Sequence, residues 1–335
     1  MSEAALPIVA ILATGGTIAG EARAGASVGY TAASLSAEQL VRAIPQLQGL
    51  ARIQAEEVAS VGSQNMNHEV WWKLLQRVDA LNRDEQVQAI VVTHGTDTLE
   101  ETAFFLSLAA RRDKPLVLVG AMRPATAMSA DGPRNLYNAV TVALALRGRS
   151  AAYGPVVVMN DSVYGARDVQ KMSAGGICAF GTPNGVALGG IENGRAWFRP
   201  AASRKTCAEP GYALNQPPAS WPRVDIVYAH ADMGGDVIDF IARHARGVVL
   251  AGMGDGNATD AALAALRRAV EQGVAVVRAS RTGSGRVGRS GEVDDAAMGF
   301  VVAGELNPQK ARILLMLALM RKEDAASLQQ AFDWI

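Results

Sequence analysis

Two threonines in this chain each stand just beyond an apolar run and next to glycine. Thr96 follows Val87–Thr93 in the stretch Thr93-His94-Gly95-Thr96-Asp97-Thr98, with a carboxylate directly after its hydroxyl. Thr17 follows Ile8–Ala13 through Thr14-Gly15-Gly16, and Tyr30 comes 13 residues later. A hydroxyl becomes a nucleophile when a base takes its proton, and an exposed phenol on a closing loop can relay that proton. Lys171, in Arg167-Asp168-Val169-Gln170-Lys171, is the third such group. Beside Asp97 it stays charged and paired; beside a hydroxyl and partly desolvated, its pKa falls toward that of a useful base. Each residue also has a plain reading: Thr17 and Asp97 as helix caps, Tyr30 as a surface tyrosine, Lys171 as a solvated cation. Two hydroxyl turns converging on one crevice are harder to dismiss in that way.

Those side chains need elements to position them. The β-branched run Val87–Thr93 reads as a buried strand. Thr98 and Glu101 have capping-box spacing, so a helix is expected to start there. Thr96 and Asp97 then fall at the carboxyl end of a strand and beside a helix N-terminus, where open α/β sheets bind ligands and stabilise negative charge. Gly15-Gly16 allows a tight turn after the first strand, Ile8–Ala13, and Gly20 to Gly29 reads as a mobile loop ending at Tyr30. Further helices are predicted over Ser36–Leu47, from Trp71-Trp72 to Leu81 and after Pro133. Strands are predicted near Val58–Val61, Leu116–Gly120 and Val156–Met159. This alternation argues for a mostly parallel sheet covered on both faces.

Around Ala201–Pro222 the pattern stops and Pro200, Pro210, Pro217, Pro218 and Pro222 cluster. Alternation resumes with strands Val224–Tyr228, Val248–Ala251 and Val274–Ala279, helices Val237–His244 and Thr259–Gln272, and two C-terminal helices. The fold class is therefore α/β with two domains. Residues 1–199 form a larger, mostly parallel-sheet domain carrying both threonine motifs, 200–222 a linker, and 223–335 a smaller parallel-sheet domain.

Lys+Arg and Asp+Glu both number 32 in 335 residues, so no field of one sign exists to recruit nucleic acid or an anionic membrane. A small polar substrate is the better expectation. Cys178 and Cys207 are too few for a disulfide framework or zinc site and allow at most one bridge. The four histidines are scattered without an HExxH pair, so neither a metal nor a cofactor is expected. Ile313–Met320 is too short to span a bilayer, and Met1–Pro7 lacks the basic start and apolar core of a signal peptide. A cytoplasmic protein is expected, or a periplasmic one if a leader has been removed.

Three glycine motifs suggest other chemistry. Gly283-Ser284-Gly285-Arg286-Val287-Gly288 has GxGxxG spacing but no apolar-periodic helix after it. Gly252-Met253-Gly254-Asp255-Gly256-Asn257 is a better strand–loop–helix, and Arg278 ends the next strand where an NADP enzyme could hold a phosphate. A dinucleotide-dependent oxidoreductase thus stands as an alternative function. Gly25-Ala26-Ser27-Val28-Gly29 matches GxSxG, but without a preceding strand it does not read as a nucleophile elbow.

Read together, Ala13-Thr14-Gly15-Gly16-Thr17-Ile18-Ala19-Gly20 and Thr93-His94-Gly95-Thr96-Asp97-Thr98 resemble the bacterial type II L-asparaginases, which include the glutaminase-asparaginases. The likeness extends through Gly62-Ser63-Gln64, Gly120-Ala121-Met122-Arg123-Pro124, Ser129-Ala130-Asp131-Gly132-Pro133, Gly291-Glu292-Val293-Asp294-Asp295 and Leu306-Asn307-Pro308-Gln309-Lys310-Ala311-Arg312. It implies hydrolysis of L-asparagine to L-aspartate and ammonia, with L-glutamine as a secondary substrate. It makes Thr17 the nucleophile, activated by Tyr30, and Thr96, Lys171 and Asp97 a second cluster. Asp97 would also bind the substrate's α-amino group, Ser63 and Gln64 its α-carboxylate and amino groups, and the Ala121 carbonyl its amide nitrogen. Asn257 and Glu292 would enter from a neighbouring subunit of a homotetramer built as a dimer of dimers. Asn65 stands where the family commonly has aspartate, and Asp255 where asparagine is frequent. The cysteines fall away from the disulfide positions of secreted members, which favours the cytoplasm. A non-catalytic amino-acid sensor on the same fold is a third reading.

Overall fold

In the computed structural model, residues 5–22, 30–31, 35–200, 211–321 and 324–335 are described, with Glu21, Ala22, Tyr30 and Thr31 by backbone alone. Residues 23–29, with the Gly25–Gly29 motif, lie outside the described residues, as do 201–210 with Cys207 and Pro210. The chain divides into two units, Met1–Asn215 and Gln216–Ile335.

Strands of the first unit are β1 (Ile8–Gly15), β2 (Glu21–Ala22), β3 (Tyr30–Thr31), β4 (Arg52–Val61), β5 (Val87–Thr93) and β6 (Leu116–Val119). Then come β7 (Val156–Met159), β8 (Ser162–Gly165), β9 (Gln170–Lys171), β10 (Phe180–Gly181), β11 (Gly189–Glu192) and β12 (Arg195–Phe198). Eight of them form one sheet in the order β12-β11-β8-β7-β6-β5-β1-β4. From β4 through β7 neighbouring strands are parallel; β8, β11 and β12 continue the sheet antiparallel. In β1 and β5 almost every residue is buried, because helices cover both faces and neither can be polar. Val9, Ile11, Ala89, Val91, Val117 and Val119 pack into one core with Leu136 and Val140 of the helix Gly132–Ala145. Elsewhere in this unit, Trp71 of the helix His68–Arg83 stacks on Phe105 of Leu99–Ala109 at 4.9 Å between ring centroids.

The strand order fixes where a ligand can sit. After β1 the chain places β4 on one side of it, then crosses to place β5 on the other. Connections therefore leave β1 and β5 in opposite directions, opening a crevice between their carboxyl ends. Thr17 and Thr96 come directly after those two ends.

The helix expected over Ser36–Leu47 is shorter. Its capping box forms, with Gln39 N–H donating to Ser36 Oγ and Ser36 N–H to Gln39 Oε1, but the α-helix stops at Arg42. Pro45 disfavours helical backbone at the preceding Ile44, and a 3-10 helix runs from Pro45 to Gly49 instead.

The second unit is a four-stranded parallel sheet, β13 (Val224–Tyr228), β14 (Gly247–Gly252), β15 (Ala275–Ser280) and β16 (Val301–Val302), hydrogen-bonded in that order. Its helix Asp260–Glu271 is capped by Thr259, whose Oγ accepts from Ala262 N–H. Both units are α/β, as expected from the alternation of elements. Among the described residues no helix is long and apolar enough to cross a membrane.

Candidate active site

At the end of β1, Gly15 and Gly16 both take positive φ, and Gly16 N–H donates to Val61 O of β4 at 3.0 Å. The chain then tightens into a 3-10 turn, Thr17–Ala19, so Thr17 sits almost buried against the strand end. At the end of β5, Gly95 makes the corresponding turn into Thr96. The two turns touch through their glycines: a Cβ on Gly16 would lie 2.3 Å from both Cα and N of Gly95. A Cβ on Gly95 would lie 2.6 Å from Ser63 Oγ, so the Gly62-Ser63 turn packs against the same point. Neither position has room for a side chain, and that is how the Thr17, Ser63 and Thr96 turns share one corner.

Hydrogen bonds lock the corner. Asp97 N–H donates to Ser63 Oγ at 3.1 Å, and Thr98 Oγ1 donates to the Ser63 carbonyl at 2.8 Å. The expected Thr98–Glu101 capping box is not formed: Thr98 precedes the helix, but its side chain makes no capping bond. Its hydroxyl is taken by Ser63, a partner 35 positions away that local spacing cannot show. The Ser63 turn itself closes through main chain, Asn65 N–H to Gly62 O at 2.8 Å and Met66 N–H to Ser63 O at 3.1 Å. Gln64 folds back over it, within 2.6 Å of where a Gly62 Cβ would stand.

Lys171, on the two-residue strand β9, also reaches this corner. Its Nζ donates to Thr96 Oγ1 at 3.0 Å and to Asp97 Oδ1 at 2.6 Å. Its own N–H is fixed by buried Glu100 at 2.5 Å. The lysine side chain is 16% exposed and that of Asp97 58%, so the carboxylate faces solvent while the ammonium lies beneath it. Lys171 thus contacts both groups named for it, the Asp97 carboxylate and the Thr96 hydroxyl.

The remaining wall follows β6. A Gly120 Cβ would come within 3.0 Å of Thr96 Cγ2, which brings the Gly120-Ala121 peptide against the threonine. Asn135 Nδ2 donates to Gly120 O, and the Asp131 carboxylate accepts from Met122 and Arg123 N–H at 2.9 Å each, fixing the backbone on both sides of Ala121.

His94 is a supporting residue that the sequence reading passed over. It is fully buried beneath the Thr96 turn, and burial pushes its pKa down to about 4. Trp71 Nε1–H donates to Thr102 Oγ1 at 2.9 Å, and Thr102 Oγ1 meets His94 Nε2 at 2.9 Å. His94 Nδ1 is 2.7 Å from the Gly95 carbonyl, which can only accept. A neutral ring therefore carries its proton on Nδ1 and accepts from the Thr102 hydroxyl on Nε2. Position 94 could have been singled out as the one polar side chain between an apolar strand and the glycine turn.

Asn257 and Glu292 belong to the second unit. Asn257 Nδ2 donates to Glu292 Oε2, and Asn257 exchanges two main-chain bonds of 2.7 Å with Met253, closing the loop after β14. Asp255 accepts from Gly288 N–H at 2.7 Å, tying that loop to the one carrying Glu292. Arg278 is not placed to hold a phosphate. It is 1% exposed, and its five N–H groups go to Asp295 Oδ1 and Oδ2, Asp255 O, Gly256 O and Gly288 O. The strand-end arginine of the oxidoreductase reading is consumed inside the unit. Tyr30 pairs by backbone with Ala22, and its side chain lies outside what is described.

The family model for the asparaginase N-terminal domain matches residues 8–204, and that for the glutaminase/asparaginase C-terminal domain matches 223–332. The chain belongs to the asparaginase family. Among relatives of this asparaginase-family chain, the probable L-asparaginase periplasmic of Haemophilus influenzae is 43% identical, covering 98% of this chain and 93% of its own length. L-asparaginase 2 of Escherichia coli is also 43% identical over the same shares. The glutaminase-asparaginase of Pseudomonas fluorescens biotype A is 42% identical, covering 97% of this chain and 89% of its own.

Proposed function

We propose that this chain hydrolyses L-asparagine to L-aspartate and ammonia through an acyl-threonine intermediate, with L-glutamine as a secondary substrate. The observation that carries the reading is the contact between Gly16 and Gly95, which packs the Thr17 and Thr96 turns together at the switch point. Thr17 Oγ attacks the side-chain amide carbon, and its proton passes through Tyr30 to the departing nitrogen, which leaves as ammonia. Main-chain N–H groups of the two turns meet the oxyanion. Water then cleaves the threonine ester, with Thr96 and Lys171 handling its proton, and aspartate leaves. Asp97 takes the substrate ammonium, Ser63 and Gln64 its α-carboxylate and amino groups, and the Ala121 carbonyl the amide N–H.

In this reading the enzyme is a homotetramer, a dimer of dimers in which Asn257 and Glu292 complete a neighbour's site. The expected cytoplasmic location belongs to the same reading, while the Haemophilus relative is named periplasmic; cell fractionation decides it.

The test is ammonia release from asparagine by purified protein without added cofactor. Thr17→Ala is expected to lower kcat by at least about 10³-fold. Wild-type turnover in that variant rejects Thr17 as nucleophile, and an acyl group trapped on Thr96 alone rejects the order of attack. Binding of aspartate without any turnover in the unaltered protein returns the sensor reading.

A further inference from the structure

Arg278 and Asp295 form a fully buried ion pair, with Nε–Oδ1 at 2.6 Å and Nη2–Oδ2 at 2.7 Å. Its remaining bonds do not go to a random selection of backbone. Arg278 Nη1 donates to the carbonyls of Asp255 and Gly256 at 3.0 and 3.2 Å, the two residues before Asn257. Nη2 donates to Gly288 O at 3.2 Å, and Asp295 Oδ2 accepts from Ser290 N–H at 2.7 Å, bracketing the loop that leads into Glu292. One guanidinium–carboxylate pair thus holds both loops that carry Asn257 and Glu292. An apolar pair of similar volume would fill the same space without a desolvated charge but could not donate to those three carbonyls.

We infer that Arg278 and Asp295 are positioning residues for substrate recognition, setting the spacing of the Asn257 and Glu292 side chains without touching substrate. The inference rests on the proposed role of Asn257 and Glu292 as substrate-binding groups. A planar fork of five donors can bridge two loops and a carboxylate at once; the three donors of a lysine ammonium on one atom cannot. Arg278→Lys keeps the charge opposite Asp295 and loses the bridge.

The test compares steady-state asparagine kinetics of Arg278→Lys, of Asn257→Ala/Glu292→Ala and of the triple variant. Arg278→Lys is expected to raise KM about tenfold or more with kcat within about threefold of wild type. Added to Asn257→Ala/Glu292→Ala, it is expected to raise KM less than twofold further, because the side chains it positions are gone. A lowered melting temperature with wild-type KM means the pair serves stability alone and overturns the inference, as does a full multiplicative rise in the triple variant. If Asn257→Ala/Glu292→Ala itself keeps wild-type KM, the site reading fails and the inference with it. A raised KM there beside an unaltered Arg278→Lys rejects the inference alone. Should Arg278→Lys not fold, Asp295→Asn, which keeps the shape and an acceptor for Ser290 N–H, carries the same expectations.

Discussion

A methyl group on Gly16 would stand 2.3 Å from the main-chain Cα of Gly95. No side-chain rotation relieves such a contact. Gly16 also has φ +84 and ψ −172, a region essentially reserved for glycine. Gly16→Ala therefore adds about 1–3 kcal/mol of backbone strain to about 1–3 kcal/mol of overpacking. Loss of asparagine turnover and a lowered urea midpoint are expected. Gly95→Ala meets the Ser63 side chain at 2.6 Å, which can shift in part, so its stability loss is expected to be smaller. A Gly16→Ala protein with the wild-type midpoint and turnover would show that the two turns are not locked as described.

Thr98 gives a sharper contrast between spacing and structure. Its hydroxyl donates to Ser63 O, so Thr98→Val, of similar shape, removes that bond and leaves the carbonyl with the Met66 N–H alone. The expected cost is about 0.5–1.5 kcal/mol in urea unfolding. Thr98→Asp separates the two readings. Aspartate is a good helix cap but cannot donate to a carbonyl, so it is expected to be at least as damaging as valine. Wild-type stability in Thr98→Asp restores the capping role.

Much of this site is legible in the sequence because each piece is local. An apolar run ending in glycine and hydroxyl specifies a strand end, and two such ends in a parallel sheet point to the same edge. What local spacing cannot carry is long-range partnership. The Thr98–Ser63 bond, the Trp71–Thr102–His94 relay and the Arg278 bridge join positions between 8 and 35 residues apart. The antiparallel end of the large sheet does carry a local signal. Asn160-Asp161 and Asn193-Gly194 are two-residue turns with both φ positive, the signature of tight hairpins, and they join β7 to β8 and β11 to β12. Ser36–Leu47 differs for another reason: the Ser36 cap specifies where the helix starts, while Pro45 ends the helical backbone early.

Lys171 touches both Thr96 and Asp97, so replacing it separates chemistry from folding. Lys171→Met keeps the buried apolar stem and removes the ammonium. Asp97, with its side chain 58% exposed, stays solvated without its partner, so little stability is expected to be lost. General acid–base groups contribute roughly 10²–10⁴-fold, and kcat for asparagine is expected to fall within that range. Circular dichroism and urea unfolding alongside the kinetics check both halves. A fall in stability equal to the fall in activity assigns Lys171 a structural role.

His94 sets a pH dependence of stability. Burial holds its folded pKa at about 4 against an ordinary 6.5, so between those values the unfolded chain binds a proton that the folded chain refuses. Stability therefore rises with pH across that window, and the contribution is lost as pH falls from 6.5 to 4. At about 1.4 kcal/mol per pH unit the full span is worth about 3 kcal/mol. His94→Gln removes the titrating group while leaving an amide that can meet Gly95 O and the Thr102 hydroxyl. It is expected to be less stable than wild type at pH 7 but to lose less stability between pH 7 and pH 4.5. Urea unfolding at the two pH values measures this, and parallel losses in wild type and variant would mean that His94 is not held neutral in the fold.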